Sequence, residues 1–139
     1  AIGYSKEKIL LDFYPELYEK KDETGKVCSI SGFGITGTFK TGAIKSDIAR
    51  RAGSNTIDKV ENQLLICSPS LLHKRTTLEF LIASGDSGGG LFIDGKLAGI
   101  NSCVFTDPPR SPNSDFSCES GHTRISDHID WIKKNTPKK

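Results

Sequence analysis

The sequence predicts an all-β, antiparallel chain that ends in one short α-helix, and three stretches carry that prediction. Gly90 to Ser102 reads as strand, Asp94-Gly95 turn, strand, because an Asp-Gly pair accepts the positive φ angles of a two-residue hairpin. Val27 to Phe39 alternates apolar with small residues and is broken by glycines where strands bend. Ser126 to Lys134 has a serine to cap a helix, acids in the first turn, Ile129 and Ile132 on one side and lysines at the end. No alternation of parallel strands with helices occurs, so a doubly wound architecture is excluded.

From the N-terminus, Ala1 to Lys26 is mixed, with an apolar patch at Ile9-Leu10-Leu11 and aromatics at Tyr4, Phe13, Tyr14 and Tyr18; Pro15 interrupts any long helix across it. Thr41 to Arg51 is polar and basic and reads as a surface loop, in which Arg50-Arg51 is a processing site only if exposed. Asn55 reads as a turn residue tolerant of unusual backbone angles. Asn62 to Ser68 is a further strand closed by Pro69, and Ser70 to Thr77 is a basic loop containing His73, whose default reading is a solvated side chain. Leu78 to Ala83 leads into a glycine-rich stretch. Thr106 to Ser117 is a Pro-, Ser- and Asp-rich loop closed by Cys118; Gly121 to Ser126 is the last strand, and Pro137 to Lys139 a frayed tail, with Trp131 packing back on the sheet.

Composition narrows the function. The chain has 139 residues, 35% of them hydrophobic, enough for one ordinary domain with a core. Its 19 basic and 17 acidic residues give a net charge of +2 and are mixed along the chain, so neither a nucleic-acid nor a membrane-surface patch is implied. No apolar run is long enough to span a bilayer and no signal peptide stands at Ala1; with no methionine anywhere, the chain reads as cut from a longer precursor or stripped of its initiator. Its 4 cysteines, with no Cys-x-x-Cys spacing, argue against structural zinc and fit two disulfides of a secreted protein, with three pairings open.

The chemistry concentrates in Ser84-Gly85-Asp86-Ser87-Gly88-Gly89-Gly90. A serine hydroxyl is a weak nucleophile that needs a base, and the oxyanion formed when it attacks a carbonyl needs donors aimed at it; small neighbours can supply those donors from the backbone. Read as a bare motif, Gly-Asp-Ser-Gly-Gly could be a plain turn. It also satisfies the G-x-S-x-G elbow of α/β-hydrolases, with Asp115 and His122 following in that fold's order, but an elbow serine opens a helix and here a β-hairpin follows.

The loop together with its hairpin resembles the nucleophile region of trypsin-like serine peptidases, and the likeness extends over about residues 27 to 135. Cys28 and Gly32-Phe33-Gly34 match that family's cysteine followed by Gly-aromatic-Gly, Gly121 to Ser126 its last strand, and Arg51 to Asp58 is similar to a segment of bacterial-type secreted members. The resemblance implies a six-stranded antiparallel Greek-key barrel, the second of that fold, over 27-139, preceded by a crossing segment or N-terminal arm over 1-26. It implies Ser87 as nucleophile and the N–H groups of Gly85 and Ser87 as oxyanion donors, with no cofactor or metal. Leu81, six residues before Ser87, takes the pocket-base position where a trypsin has aspartate, which favours apolar or small substrate side chains. Ser102, Cys103 and Val104 match the edge that pairs with a peptide substrate. Two departures stand there: Cys103 replaces the usual tryptophan and Val104 the glycine of open pockets. Asp86 matches the aspartate that receives a newly cut N-terminal ammonium, and Cys28–Cys67 and Cys103–Cys118 are the implied disulfides. His122 is placed near the back of the pocket as a structural residue.

The family's catalytic His and Asp lie on the first barrel, and no segment of this chain matches them; His73 has only its nearness in sequence to recommend it as a base. Two functions follow. One is a chain of a secreted serine endopeptidase whose His and Asp come from a separate N-terminal chain of the same precursor. The other is a non-catalytic binding or structural protein on a peptidase scaffold.

Overall fold

A computed structural model describes residues 2–107, 109 and 113–137. The expectations that fall on Ala1, on part of the Thr106–Ser117 loop and on the Lys138-Lys139 tail lie outside them. The elements are β1 (Val27–Gly32), β2 (Thr36–Thr38), β3 (Gly42–Lys45), β4 (Arg51–Thr56), β5 (Lys59–Glu61), β6 (Leu64–Cys67), β7 (Gly90–Ile93), β8 (Lys96–Thr106), β9 (Cys118–Arg124) and α1 (Ile129–Asn135). Seven strands form one antiparallel sheet in the order β4-β1-β7-β8-β9-β6-β5, and β2 and β3 form a separate hairpin.

The fold class is the one expected, with two differences: the main sheet has seven strands where six were expected, and it does not close. The edge strands β4 and β5 are not paired with each other; they are consecutive in the chain and joined through Ile57 and Asp58. The sheet nevertheless curls on itself, because Cys28 on β1 and Cys67 on β6, each one strand in from an edge, bring their Sγ atoms to 4.0 Å. Inside the curl lie Ile30, Ile57, Leu65, Ile82, Leu91, Ile93 and Ala98, all 2% exposed or less. Each large member contributes about 1.5–3 kcal/mol by leaving water.

Several local expectations give way. Thr41 to Arg51 is not all loop: it contains β3, paired with β2, and Arg51 opens β4 with its guanidinium on Asp47 at 2.6 Å. The strand seen at Asn62–Ser68 begins only at Leu64, because Asn62 and Gln63, at φ 50° and 63°, are the two turn residues of a β5–β6 hairpin. That strand lies between β5 and β9, its cysteine meeting Cys28 across the curl. Asn55 is no turn residue: it is fully buried in β4, its amide donating to the Phe80 carbonyl at 3.1 Å. Trp131 is 49% exposed instead of packed down.

The N-terminal stretch is strapped on late. Large side chains from Tyr4 to Tyr14 are exposed, whereas Tyr18 N–H donates to Leu97 O and Leu97 N–H to Glu16 O, both at 2.8 Å. Glu23, 1% exposed, then accepts Arg124 Nη2 at 2.6 Å, Arg124 Nε at 2.9 Å and the Ser126 hydroxyl at 2.7 Å. Ser126 is thereby used by Glu23 and does not cap α1, whose N-cap position is His128 with no side-chain cap.

Candidate active site

Ser87 sits on two consecutive turns that share Asp86. Asp86 N–H donates to Ala83 O at 3.0 Å and Gly89 N–H to Asp86 O at 3.0 Å. The third residue of the first turn, Gly85, has φ +96°, and that of the second, Gly88, has φ +85°. A type II turn requires positive φ there, which is the local reason for the two glycines flanking Asp86-Ser87. Ser87, second in its turn, is exposed, and no partner among the described residues takes its hydroxyl. The N–H groups of Gly85 and Ser87 likewise have no acceptor among the described residues. A nucleophile-type hydroxyl and two free donors therefore share one corner.

The loop is fastened on two sides. The buried Asp86 carboxylate accepts Gly34 N–H at 2.7 Å and Ala83 N–H at 2.9 Å, and a Cβ at Gly34 would come within 2.6 Å of it. Beneath, Asn101 on β8 accepts Gly88 N–H through its backbone carbonyl at 3.0 Å and donates its N–H to Gly89 O at 2.8 Å. Its side-chain nitrogen donates to Ser31 O at 3.0 Å and to Asp86 O at 3.1 Å. Asn101 Oδ1 lies 2.9 Å from His122 Nδ1, and His122 Nε2 lies 3.0 Å from the Ser120 hydroxyl.

Residues 14–132 match the family described as Trypsin. The chain belongs to the trypsin family. It is 33% identical over 124 residues to the snake venom serine protease KN1 of Trimeresurus stejnegeri, covering 84% of this chain and 45% of that one. With kallikrein-1E2 of Equus caballus it shares 28% over 137 residues, covering 88% of this chain and 46% of the relative. The chain thus spans about half the length of these curated relatives. Among solved structures, mouse neuropsin, described as a serine protease, superposes with a TM-score of 0.62 at 22% identity, covering 86% of this chain and 52% of neuropsin. A mutant of human heparin binding protein does so at 0.61 and 22%, covering 89% and 50%. At these identities the two structures show the fold.

Within this trypsin-family fold, Ser87, Ser102, Cys103 and Val104 line one cavity of about 260 Å³ with Ile35, Ile82 and Ala83. Ser102 enters it by a bulge: Asn101 pairs with His122 and Cys103 with Gly121, which leaves Ser102 unopposed on β9 and re-aimed. β7 ends at Gly90 opposite Ile100, so beyond Asn101 one edge of β8 has no strand beside it among the described residues.

Leu81 is not brought to this cavity. Buried at 7% exposure, it lines a neighbouring space of about 400 Å³ with Asp86, Glu79 and Arg51, and Ile82 with Ala83 takes the place expected of it. Leu81 borders only the larger space and Ile82 only the Ser87 cavity, an offset of one residue, while Ala83 borders both. All four cysteines carry free thiols. Cys28 and Cys67 are in contact. Cys103 and Cys118 are not: the former lies opposite Gly121 and the latter opposite Thr106, three ladder steps or about 10 Å apart, beyond disulfide reach.

Sequence reasoning missed Asn101, which had no motif to mark it. His122 is fully buried, as its structural reading required, and burial pushes its pKa down to about 4. Unfolded, it takes a proton below about 6.5; folded, not until about 4. Stability is therefore expected to fall by about 3 kcal/mol as pH drops from 6.5 to 4 and to be insensitive to this group above or below that window. Urea midpoints across that range should show the slope in the native chain and lose most of it in His122→Gln. An unchanged slope in the variant contradicts the assignment.

Proposed function

We propose that this chain is the nucleophile-bearing part of a secreted trypsin-like serine endopeptidase that cleaves peptide bonds through an acyl-enzyme on Ser87. The observation that carries this is the corner itself, where an exposed hydroxyl without a partner among the described residues stands beside two unspent N–H groups at the rim of a cavity that carries no charged side chain. The hydroxyl oxygen attacks the substrate carbonyl carbon and its proton passes to an imidazole; the Gly85 and Ser87 N–H groups receive the oxyanion; the proton then moves to the departing amine, and water resolves the ester by the same steps. The imidazole and its orienting carboxylate come from a separate N-terminal chain of the same precursor. No histidine or carboxylate lines the Ser87 cavity among the described residues, and His73 stands exposed on a single helical turn.

Residues 1-26 form the crossing segment toward that partner, a reading supported by the exposed Ile9, Leu10, Leu11 and Phe13. The substrate lies along the open edge of β8 at Ser102–Val104 and places an apolar or small side chain against Ile82, Ala83 and Val104. Asp86 is linked to activation, exchanging part of its present bonding for an ammonium. In the oxidising setting of a secreted protein Cys28 and Cys67 form a disulfide, which closes a long loop and adds about 4 kcal/mol in the chain-entropy model.

Intact mass of the native, unreduced protein before and after a fluorophosphonate tests these statements together. A second polypeptide, an adduct mapped to Ser87 and a mass lowered by loss of two thiol hydrogens are expected. A lone chain with unlabelled Ser87 overturns the peptidase and leaves the non-catalytic scaffold, the reading that the missing base favours.

A further inference from the structure

The geometry points to Asn101 as a positioning residue for the oxyanion hole, with His122 satisfying the far end of its amide. This rests on the peptidase reading for its consequence, although its structural half stands alone. Of the four residues in the Asp86–Gly89 turn, three are bonded to Asn101: Gly88 and Gly89 through its backbone, and Asp86 through its amide nitrogen. The remaining one is Ser87. A peptide unit is planar and trans, so its C=O and N–H point in opposite directions. The Asp86 carbonyl and the Ser87 N–H belong to the same unit. With Asp86 O drawn inward by Asn101 Nδ2 at 3.1 Å and Gly89 N–H at 3.0 Å, the Ser87 N–H is turned outward, toward the space an oxyanion occupies.

The side-chain amide of Asn101 could face either way by shape alone, and its bonds decide the matter. Ser31 O and Asp86 O are both pure acceptors, so the nitrogen faces them and spends both hydrogens there. The oxygen then faces His122, which must carry its proton on Nδ1 at 2.9 Å; Nε2 is left as an acceptor for the Ser120 hydroxyl at 3.0 Å. Asn101, His122 and Ser120 are each 2% exposed or less, so water does not compete for any of these bonds. A reversed amide would set Oδ1 against two carbonyl oxygens. His122 thus supplies, from β9, the donor that satisfies the oxygen of the amide whose nitrogen fixes a peptide plane in the nucleophile turn.

The test uses the native protein, with whatever partner chain it holds, and the phosphonylation rate of Ser87 by a fluorophosphonate. Asn101→Ala is expected to slow it about 100-fold, the size of losing one oxyanion donor. His122→Leu, which leaves Asn101 Oδ1 buried without its donor, should slow it by less, and His122→Gln, which can still donate to Asn101 Oδ1 and accept from Ser120, should restore it. Thermal unfolding of each variant separates slowing from loss of fold. In parallel, residual dipolar couplings report the Ser87 N–H direction, and the imidazole 15N shifts the His122 tautomer. Rates within twofold of native in a folded Asn101→Ala overturn the positioning role and leave the peptidase intact. If the native protein is not labelled at all, the peptidase reading fails; the Asn101 assignment then stands on a Ser87 N–H vector that moves in Asn101→Ala and falls on one that does not.

Discussion

Replacing Ser87 by alanine is expected to lower kcat by about 10⁶-fold in the assembled peptidase, the order reached when the nucleophile of a serine triad is removed. KM should be nearly unchanged, because the hydroxyl has no partner among the described residues and the adjoining cavity proposed to receive the substrate stays as it is. Stability should also stay within about 0.5 kcal/mol, since the side chain is exposed and its backbone angles are set by the two flanking glycines and not by its own contacts. The pairing of a dead enzyme with an unperturbed fold is the informative result. Steady-state kinetics on a peptide substrate and a thermal melt on the same sample provide both numbers. Activity retained within tenfold would mean that another group attacks the carbonyl, and the acyl-enzyme on Ser87 would have to be abandoned.

The backbone of the Ser87 loop was readable in the sequence because its determinants are local. Two turns in succession need positive φ at Gly85 and Gly88, and only glycine meets that at no steric cost, so the stretch announces its backbone. The Asp94-Gly95 hairpin is readable for the same reason, with φ 49° and 75° at its corner. Other features were hidden to the degree that they are non-local. The hairpin at Asn62-Gln63 uses positive φ without a glycine, and β3 is a four-residue strand half exposed, so the polar and basic residues around it disguised it as loop. Asn55 has a turn residue's identity and a core residue's job, because Phe80, far along the chain, supplies the acceptor that makes its burial affordable. Leu81 and Ile82 differ by a single residue and face different cavities; a family offset counted in residues cannot tell which side an extended segment will show. Asn101 and His122 meet only because β8 and β9 pair in one register, and register is a property of the whole sheet.

The largest stability effect should come from the pair that the sequence concealed most completely, Glu23 and Arg124. They are 101 positions apart, and the carboxylate is 1% exposed while holding two guanidinium nitrogens and the Ser126 hydroxyl. Arg124→Met is expected to destabilise the chain by about 3–5 kcal/mol, because it leaves a buried carboxylate without its counter-charge. Adding Glu23→Leu should return much of the loss, since an apolar pair of similar volume no longer has a charge to desolvate. The pH dependence gives an independent sign. Burial pushes the Glu23 pKa up, yet the bonds from Arg124 and Ser126 outweigh it and leave the carboxyl below its ordinary 4.5. Its contribution in the native chain is therefore present above pH 4.5 and lost as pH falls through the lowered native value. In Arg124→Met burial acts with less opposition, the carboxyl protonates more readily, and the deficit against the native chain should shrink on acidification. Urea unfolding of both chains at pH 7 and near pH 4 measures that difference directly, and because His122 is common to both, its own titration cancels. A deficit that is constant or grows with acid would show that Glu23 is not the charge left behind. The expected convergence would place a buried ion pair between the N-terminal strap and the end of β9, two residues from His122 and the bonds beneath Ser87.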